Sequence, residues 1–96
     1  MSMKKFFYRV EKGDTIFLIA KKFCIPPTLL VFDNNLKAEV SAGDLLVIKV
    51  KDGKSYSVKA LETIKEVADK FSKSEEDILE YNKTPFLYFG QDILIP

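Results

Sequence analysis

An internal repeat is the feature of this sequence that most restricts its fold. Residues of the first half recur in the second half in the same order, 48 positions further on. The matched pairs are Tyr8 and Tyr56, Val10 and Val58, Thr15 and Thr63, Phe23 and Phe71, and Asn34 and Asn82. The closing segments, residues 43–48 and 90–95, are offset by 47, so one residue is missing from the loop before the last strand. The 96-residue chain is therefore predicted to hold two small copies of one unit.

The spacing of apolar residues changes in the same order within each copy. In the first copy, residues 7–10 predict a strand and residues 15–23 predict a helix. Residues 25–27 carry two prolines, which end that helix and begin a second one. The second helix ends at residues 34–35, since asparagine tolerates the left-handed conformation, and residues 45–50 predict a closing strand.

This order predicts an α+β fold made of two βααβ units. Two strands that flank two helices in so short a chain pair antiparallel, which leaves both helices on one face of a two-stranded sheet. We place the first unit at residues 6–50, a linker at 51–55 and a divergent second unit at 56–96. Thr63 and Glu66 have the spacing of a capping box at the start of a helix in the second unit.

Composition argues against several classes of function. The chain has no histidine, which removes the usual general base and histidine-based zinc sites, and we predict neither a metal nor a cofactor. Its single thiol, Cys24, cannot form an internal disulfide and is predicted to be a half-buried apolar side chain. Fifteen basic residues oppose fourteen acidic ones, so the net charge favours a neutral partner over nucleic acid or an anionic membrane.

The charges are divided unevenly between the halves. Residues 1–50 hold eight basic and five acidic side chains, and residues 51–96 hold seven and nine. No apolar run approaches the roughly 20 residues that cross a bilayer, so no membrane-spanning segment is predicted. Residues 4–8 resemble the start of a signal peptide, but Arg9 and Glu11 interrupt the apolar stretch, and none is predicted.

Taken together, the repeated residues resemble a known family. The first unit reads Tyr8-x-Val10-x-x-Gly13-Asp14-Thr15-Ile16, followed by Ile19-Ala20, Phe23, Leu30, Asn34 and Gly43-Asp44-x-Leu46-x-Ile48. It is similar to the LysM (lysin motif) domain, a βααβ module. The second unit is similar through Tyr56-x-Val58, Thr63-Ile64, Val67-Ala68, Phe71, Ile78, Tyr81-Asn82 and Gly90-Gln91-x-Ile93-x-Ile95. The chain thus resembles a tandem LysM protein over nearly its whole length.

The resemblance implies binding of polymers that contain N-acetylglucosamine, namely peptidoglycan or chitin, without catalysis. The family's groove lies between the loop from strand 1 to helix 1 and the loop from helix 2 to strand 2. Carried onto the first unit, the site comprises Gly13, Asp14, Thr15, Ile16, Leu36, Lys37, Ala38, Glu39 and Val40. A second site in the other unit would comprise Thr63, Ile64, Pro85, Phe86, Leu87 and Tyr88.

The second unit departs from the pattern at the turn. Leu61 and Glu62 stand where the first unit has Gly13 and Asp14, so the turn either changes shape or holds a leucine at a costly dihedral angle. The aromatic residues of the loop at 84–89 could stack on sugar rings or contact a protein.

Several of these residues also have a purely structural explanation. Gly13, Asp14 and Thr15 suit a turn and a helix cap, and Asn34 and Asn82 suit helix ends. A further six side chains are predicted to lie in the core of the first unit: Tyr8, Val10, Ile19, Phe23, Leu30 and Val47.

Two functions therefore remain open, and neither is enzymatic. The first is glycan binding. The second is a structural or protein-interaction module of a spore or cell-surface assembly, with weak self-association through the aromatic loop. Location in the cell wall, in a spore or outside the cell is implied only by the resemblance; otherwise the sequence predicts a cytoplasmic protein.

Overall fold

The computed structural model describes residues 4–96 and shows two compact units that divide between Asp52 and Gly53. Each unit runs strand, helix, helix, strand. The first comprises β1 (Lys4–Arg9), α1 (Ile16–Lys22), α2 (Pro27–Asn34) and β2 (Leu45–Val50). The second comprises β3 (Lys54–Ser57), α3 (Ile64–Phe71), α4 (Glu75–Tyr81) and β4 (Asp92–Ile95).

Each unit has its own two-stranded antiparallel sheet. β1 pairs with β2 so that Tyr8 lies opposite Leu46, and β3 pairs with β4 so that Tyr56 lies opposite Ile93. The predicted α+β class with two βααβ units is confirmed. β3 begins at Lys54, inside the segment interpreted as a linker. It extends this far because Lys54 pairs with Ile95, at the end of β4.

The helices of each unit cover one face of its sheet and enclose a separate core. In the first unit, the buried cluster includes Val10, Ile19, Ala20, Ile25, Leu30, Val40, Leu46 and Ile48, with Tyr8 and Phe23 packed against it. In the second unit, it comprises Val58, Val67, Ala68, Ile78, Ile93 and Ile95. The prediction that Val47 lies in the core was wrong: side chains alternate along a strand, and Leu46 and Ile48 are the ones that face inward.

The two units repeat the same backbone at residues with positive φ. Cys24 and Ser72 follow the first helix of each unit, at φ of 58° and 55°. Asn35 and Lys83 follow the second helix, both at φ of 51°. These pairs are each 48 residues apart, so left-handed turns were duplicated even where the residue type was not.

Cys24 is exposed, contrary to the prediction of a half-buried side chain. It follows Phe23, which packs against the core, and the left-handed turn at Cys24 reverses the chain before Ile25 is buried. The apolar stripe of the helix therefore stops one residue earlier than the sequence suggested.

One asparagine in each unit closes the fold by bonding the free edge of the second strand. Asn82 donates from Nδ2 to the carbonyls of Ile78 and Leu94, both at 2.8 Å, and its Oδ1 accepts from the Leu94 amide at 2.7 Å. Asn34 bonds Leu30 and Val47 in the same way, at 2.7–3.1 Å. The side-chain amide thus replaces the peptide group of a missing neighbouring strand and fixes the end of the helix to the sheet.

We expect Asn82→Ala to destabilise the second unit by about 3 kcal/mol, because it leaves the amide and carbonyl of a buried strand residue without partners. Asn82 itself is fully buried, whereas Asn34 is only half-buried, so water can replace part of its amide. The matched Asn34→Ala should therefore cost the first unit only about 1 kcal/mol. Urea unfolding followed by resolved amide signals of each unit measures both. Equal losses, or none, would contradict the assigned role.

Candidate functional site

The two loops that would form a groove in the first unit are joined by a carboxylate. Glu39, in the loop between α2 and β2, accepts from the Ile16 amide through both oxygens, at 3.2 and 3.1 Å. The Ile16 amide has no acceptor within its own helix because it lies at the start of α1, where negative charge is stabilising. Glu39 also accepts from the Val40 amide at 3.2 Å. One side chain therefore sets the spacing of the two loops.

The Asp14 carboxylate forms its hydrogen bonds beside its own turn, with Tyr8 and Glu11. Its Oδ2 accepts from the Tyr8 hydroxyl at 2.6 Å and from the Glu11 amide at 2.9 Å. The hydrogen bond from Tyr8, and then that from Glu11, holds the pKa of Asp14 below its usual value, and the same bond to Asp14 raises the pKa of Tyr8. Within residues 4–96 no donor bonds Oδ1 of Asp14, so that oxygen can still accept from a ligand.

The remaining residues of the predicted first site divide into supporting and accessible groups. Thr15 caps α1, since its Oγ1 accepts from the Leu18 amide at 3.1 Å. Ile16 and Leu36 are half-buried against the core and Val40 is buried, whereas Lys37 and Ala38 are exposed.

Gly13 lies at φ 90°, and a Cβ built there would meet nothing within 4 Å. The space beside the turn is therefore open. The glycine is needed for its dihedral angle and not to avoid a neighbouring atom.

The second unit holds the same turn with different residues. Leu61 adopts φ 63°, so the turn keeps its shape at the cost of a leucine in the left-handed region, which is one of the two outcomes predicted. Thr63 and Glu66 form the predicted capping box: Thr63 accepts from the Glu66 amide at 3.1 Å, and Glu66 accepts from the Thr63 amide at 2.9 Å. In the described part of the chain, no side chain of the facing loop bonds the Ile64 amide, so this unit has no counterpart of Glu39.

The aromatic loop of the second unit projects most of its rings into solvent. Phe86, Tyr88 and Phe89 are 62%, 52% and 73% exposed, and Leu61 is 99% exposed. Leu87, by contrast, packs against the core, as does Ile64. These two residues of the predicted second site therefore belong to the support of the unit.

Three other residues of the predicted second site, Pro85, Phe86 and Tyr88, lie outside that core. Pro85 borders a shallow depression against α4, lined also by Glu76 and Leu79, and that depression does not include Thr63 or Ile64. The ring centroids of Phe86 and Tyr88 lie 6.5 Å apart, and the two rings are tilted by 60°. These rings offer an apolar surface, not an enclosed pocket.

A hydrogen-bonded tyrosine, acid and lysine lie beside the turn in both units. In the second, the Tyr56 hydroxyl donates to Glu62 at 2.6 Å, while Lys70 donates to Tyr56 at 2.7 Å and to Glu62 at 3.0 Å. The bond from Tyr56, followed by those from the Lys59 amide and Lys70, lowers the pKa of Glu62 from 4.5 to about 2. The bond from Lys70 to Tyr56, and then that to Glu62, raises the pKa of Lys70. The first unit repeats the arrangement, with Lys22 placed 3.5 Å from the Tyr8 hydroxyl.

The predictions from sequence included neither this hydrogen-bonded group nor the capping of α1 by Glu39. A signal for the first was present, since the acids at 14 and 62 and the lysines at 22 and 70 are each 48 residues apart. No comparable signal marked Glu39, because the second unit has no acid at the matching position.

Residues 4–96 were compared with two further kinds of site, a metal cluster and a membrane-spanning helix. Among residues 4–96, histidine, cysteine, aspartate and glutamate side chains do not gather in threes as a metal site requires. No helix in that range combines the length and the apolar character that crossing a bilayer demands.

The repeat, the turns and the paired sheets agree with a comparison against family models. The model described as "LysM domain" matches twice, over residues 8–49 and 56–96. The chain belongs to the LysM domain family. The tandem LysM arrangement predicted from the sequence is thereby confirmed, and the two units are called LysM1 and LysM2 below.

Two solved structures resemble the tandem LysM chain. The spore cortex-lytic enzyme SleL of Bacillus megaterium QM B1551 aligns over 94% of this chain at 35% identity, with a TM-score of 0.49. SleL of Bacillus cereus aligns over 96% at 21% identity, with a TM-score of 0.46. The chain spans 22% of the length of each. Comparison with the curated proteins gave no match.

The bonded group in LysM2 predicts how its stability depends on pH. Because the pKa of Glu62 is lower in the folded protein, its contribution is fully present above the ordinary value of 4.5 and is lost as pH falls toward about 2. Tyr56→Phe removes the hydrogen bond that contributes most to the lowered pKa of Glu62. LysM2 should therefore lose less stability on acidification in this variant than in the parent. Urea midpoints at about pH 6, pH 4 and pH 2.5 measure this effect. Tyr88→Phe, an exposed tyrosine, is the control, and identical pH dependence in all three proteins would contradict the assignment.

Proposed function

We propose that the chain is a non-catalytic binding module for polymers that contain N-acetylglucosamine, such as peptidoglycan or chitin, and that LysM1 is the primary site. Membership of the LysM family supports the ligand class. LysM1 is preferred to LysM2 as the primary site because the space beside Gly13 is open. It lies next to two loops whose spacing is set by Glu39.

The chemistry of this site suits a neutral sugar. Backbone groups at the Gly13 turn are accessible to an acetamido group, and Oδ1 of Asp14 can accept from a hydroxyl. Ile16 and Leu36 are half-buried and offer an apolar platform for a ring face. Lys37 is exposed at the far side of the groove and can donate to ring substituents. Such a shallow site binds weakly, and a second unit on the same chain adds avidity if it also binds.

The carboxylates of the site do not suit hydrolysis. A glycosidase needs one carboxyl group whose pKa is raised so that it can protonate the leaving oxygen. The pKa of Asp14 is lowered instead, by its bonds from Tyr8 and Glu11. Both carboxylate oxygens of Glu39 accept hydrogen bonds from backbone amides. The proposed role is therefore binding without bond cleavage.

Titration of the labelled protein with chitin oligomers and with digested peptidoglycan tests the proposal. We expect amide shifts centred on residues 13–16 and 36–40 at millimolar sugar or below. Whichever polymer gives the larger shifts identifies the preferred ligand. No perturbation in either loop at millimolar concentration of both sugars would refute glycan binding by LysM1.

A matched pair of variants separates loop spacing from helix capping. Glu39→Ala removes the carboxylate that reaches α1 from the facing loop, and Glu66→Ala removes the one that caps α3 from within the helix. Each should cost about 1 kcal/mol of stability in its own unit. Only Glu39→Ala should weaken sugar binding, by about tenfold, because only Glu39 joins the two loops of a groove. Equal affinity in the two variants would contradict the role of Glu39.

The exposed aromatic loop favours a second candidate function, protein contact by LysM2. Three rings more than half exposed in one short loop form an apolar surface of the kind that marks interaction sites. Weak self-association through this loop would shift the amides of residues 86–89 as protein concentration rises. Concentration-dependent shifts there, together with no response to sugar, would favour a structural module over a glycan-binding one.

A further inference from the structure

The outer face of the LysM1 sheet carries an unusual set of side chains. The helices cover the face that holds Tyr8, Leu46 and Ile48, so the alternate residues point away from the core. On β1 these are Lys5, Phe7 and Arg9, and on β2 they are Leu45, Val47 and Lys49. We call these six residues the basic face. It contains three cations and no acid.

The strand register places two of those cations directly opposite each other. Lys5 pairs with Lys49, and Phe7 pairs with Val47. The Val47 amide and carbonyl bond Asn34, so they point away from β1, and Phe7 and Val47 form a non-hydrogen-bonded pair. Lys5 and Lys49 lie two residues further along and form the same kind of pair, in which side chains approach most closely. Like charges in this position are destabilising.

Nothing in the described chain neutralises this charge. Among residues 4–96, no carboxylate forms an ion pair with Lys5, Arg9 or Lys49. Arg9 donates to the Gly43 carbonyl at 2.8 Å, which holds its side chain across the strand end and leaves its other N–H groups available. Lys5 and Lys49 lie opposite each other, which is destabilising, and no carboxylate among residues 4–96 pairs with the three cations. This face is therefore complementary to an anion outside the described chain.

Apolar side chains lie between the cations. Phe7 is 68% exposed and Leu45 is 54% exposed, and they occupy neighbouring positions on the two strands. A water-soluble polyanion would neutralise the lysines but would leave these side chains in water. An anionic bilayer does both, because its phosphates attract cations and its acyl boundary accepts a phenylalanine ring.

The corresponding face in LysM2 has neither a cation nor an exposed apolar side chain at these positions. Ser55 and Ser57 stand at the outward positions of β3, opposite Leu94 and Asp92, and Leu94 is buried. The Ser57 hydroxyl donates to Asp92 at 2.6 Å, so polar groups on this face are paired with each other. The basic face is therefore specific to LysM1 and is not a consequence of the fold.

We propose that the basic face of LysM1 docks on an anionic phospholipid surface. Lys5, Arg9 and Lys49 contact phosphate headgroups, while Phe7 and Leu45 enter the headgroup and acyl boundary. Gly13 and Glu39 belong to loops outside this face, so lipid docking does not use the residues proposed for sugar.

Co-sedimentation of the full chain with vesicles tests the proposal. We expect binding to vesicles of phosphatidylglycerol and phosphatidylcholine, no binding to phosphatidylcholine alone, and a steep decrease as sodium chloride rises from about 0.05 to about 0.5 M. Lys5→Gln combined with Lys49→Gln should weaken binding by roughly thirtyfold, at about fivefold for each cation. Phe7→Ser should weaken it by about tenfold.

Lys65→Gln combined with Lys73→Gln is the control, since it removes the same charge from exposed positions of LysM2 and should leave binding unchanged. The double variant at 5 and 49 removes a like-charge pair and should fold at least as stably as the parent, which urea unfolding verifies. Failure of the parent to bind at millimolar anionic lipid, or equal losses in both double variants, would overturn the proposal. Tight binding to soluble polyphosphate that Phe7→Ser does not change would also overturn it, in favour of a phosphate polymer.

Discussion

The structure of each unit depends on one side-chain amide that takes the place of a strand. A two-stranded sheet leaves one edge of its second strand without backbone partners, and a buried edge of that kind is costly. Asn34 and Asn82 supply both a donor and an acceptor to that edge while they also bond their own helices. Helix and strand are thereby fixed to each other in about 40 residues, in a chain whose single cysteine cannot form an internal disulfide.

With the frame fixed in this way, the two units differ mainly in what their surfaces present. The backbone turns recur at equivalent positions, even where Leu61 must adopt the dihedral angle that Gly13 adopts freely. The first helix is capped from the facing loop by Glu39 in LysM1, and from within by Glu66 in LysM2. LysM1 consequently has two joined loops beside an open turn, whereas LysM2 has an exposed aromatic loop.

The sequence predicted the fold well because its signals were local and duplicated. The turn at Gly13 and the capping box at Thr63 each depend on neighbours a few residues away, and the repeat doubled the evidence. The asparagines were recognised at the helix ends, but their bonds to strand residues 12 and 13 positions away were not predicted. The prediction was wrong at Val47 and Cys24, where one residue of register or one left-handed turn decides which way a side chain points. It missed the bond from Ile16 to Glu39, which joins residues 23 apart and leaves no periodic trace.

Hydrogen exchange at the Val47 and Leu94 amides tests the asparagine-closed frame most directly. Both amides point to the outer edge of a strand and bond only an asparagine side chain, at 2.7 Å. Exchange should be protected at both, and most strongly at Leu94, where the asparagine is fully buried. The Lys49 amide, two residues along the same edge as Val47, should exchange faster. If Val47 and Leu94 exchange as fast as Lys49, the side-chain amides do not close the sheets and the account is wrong.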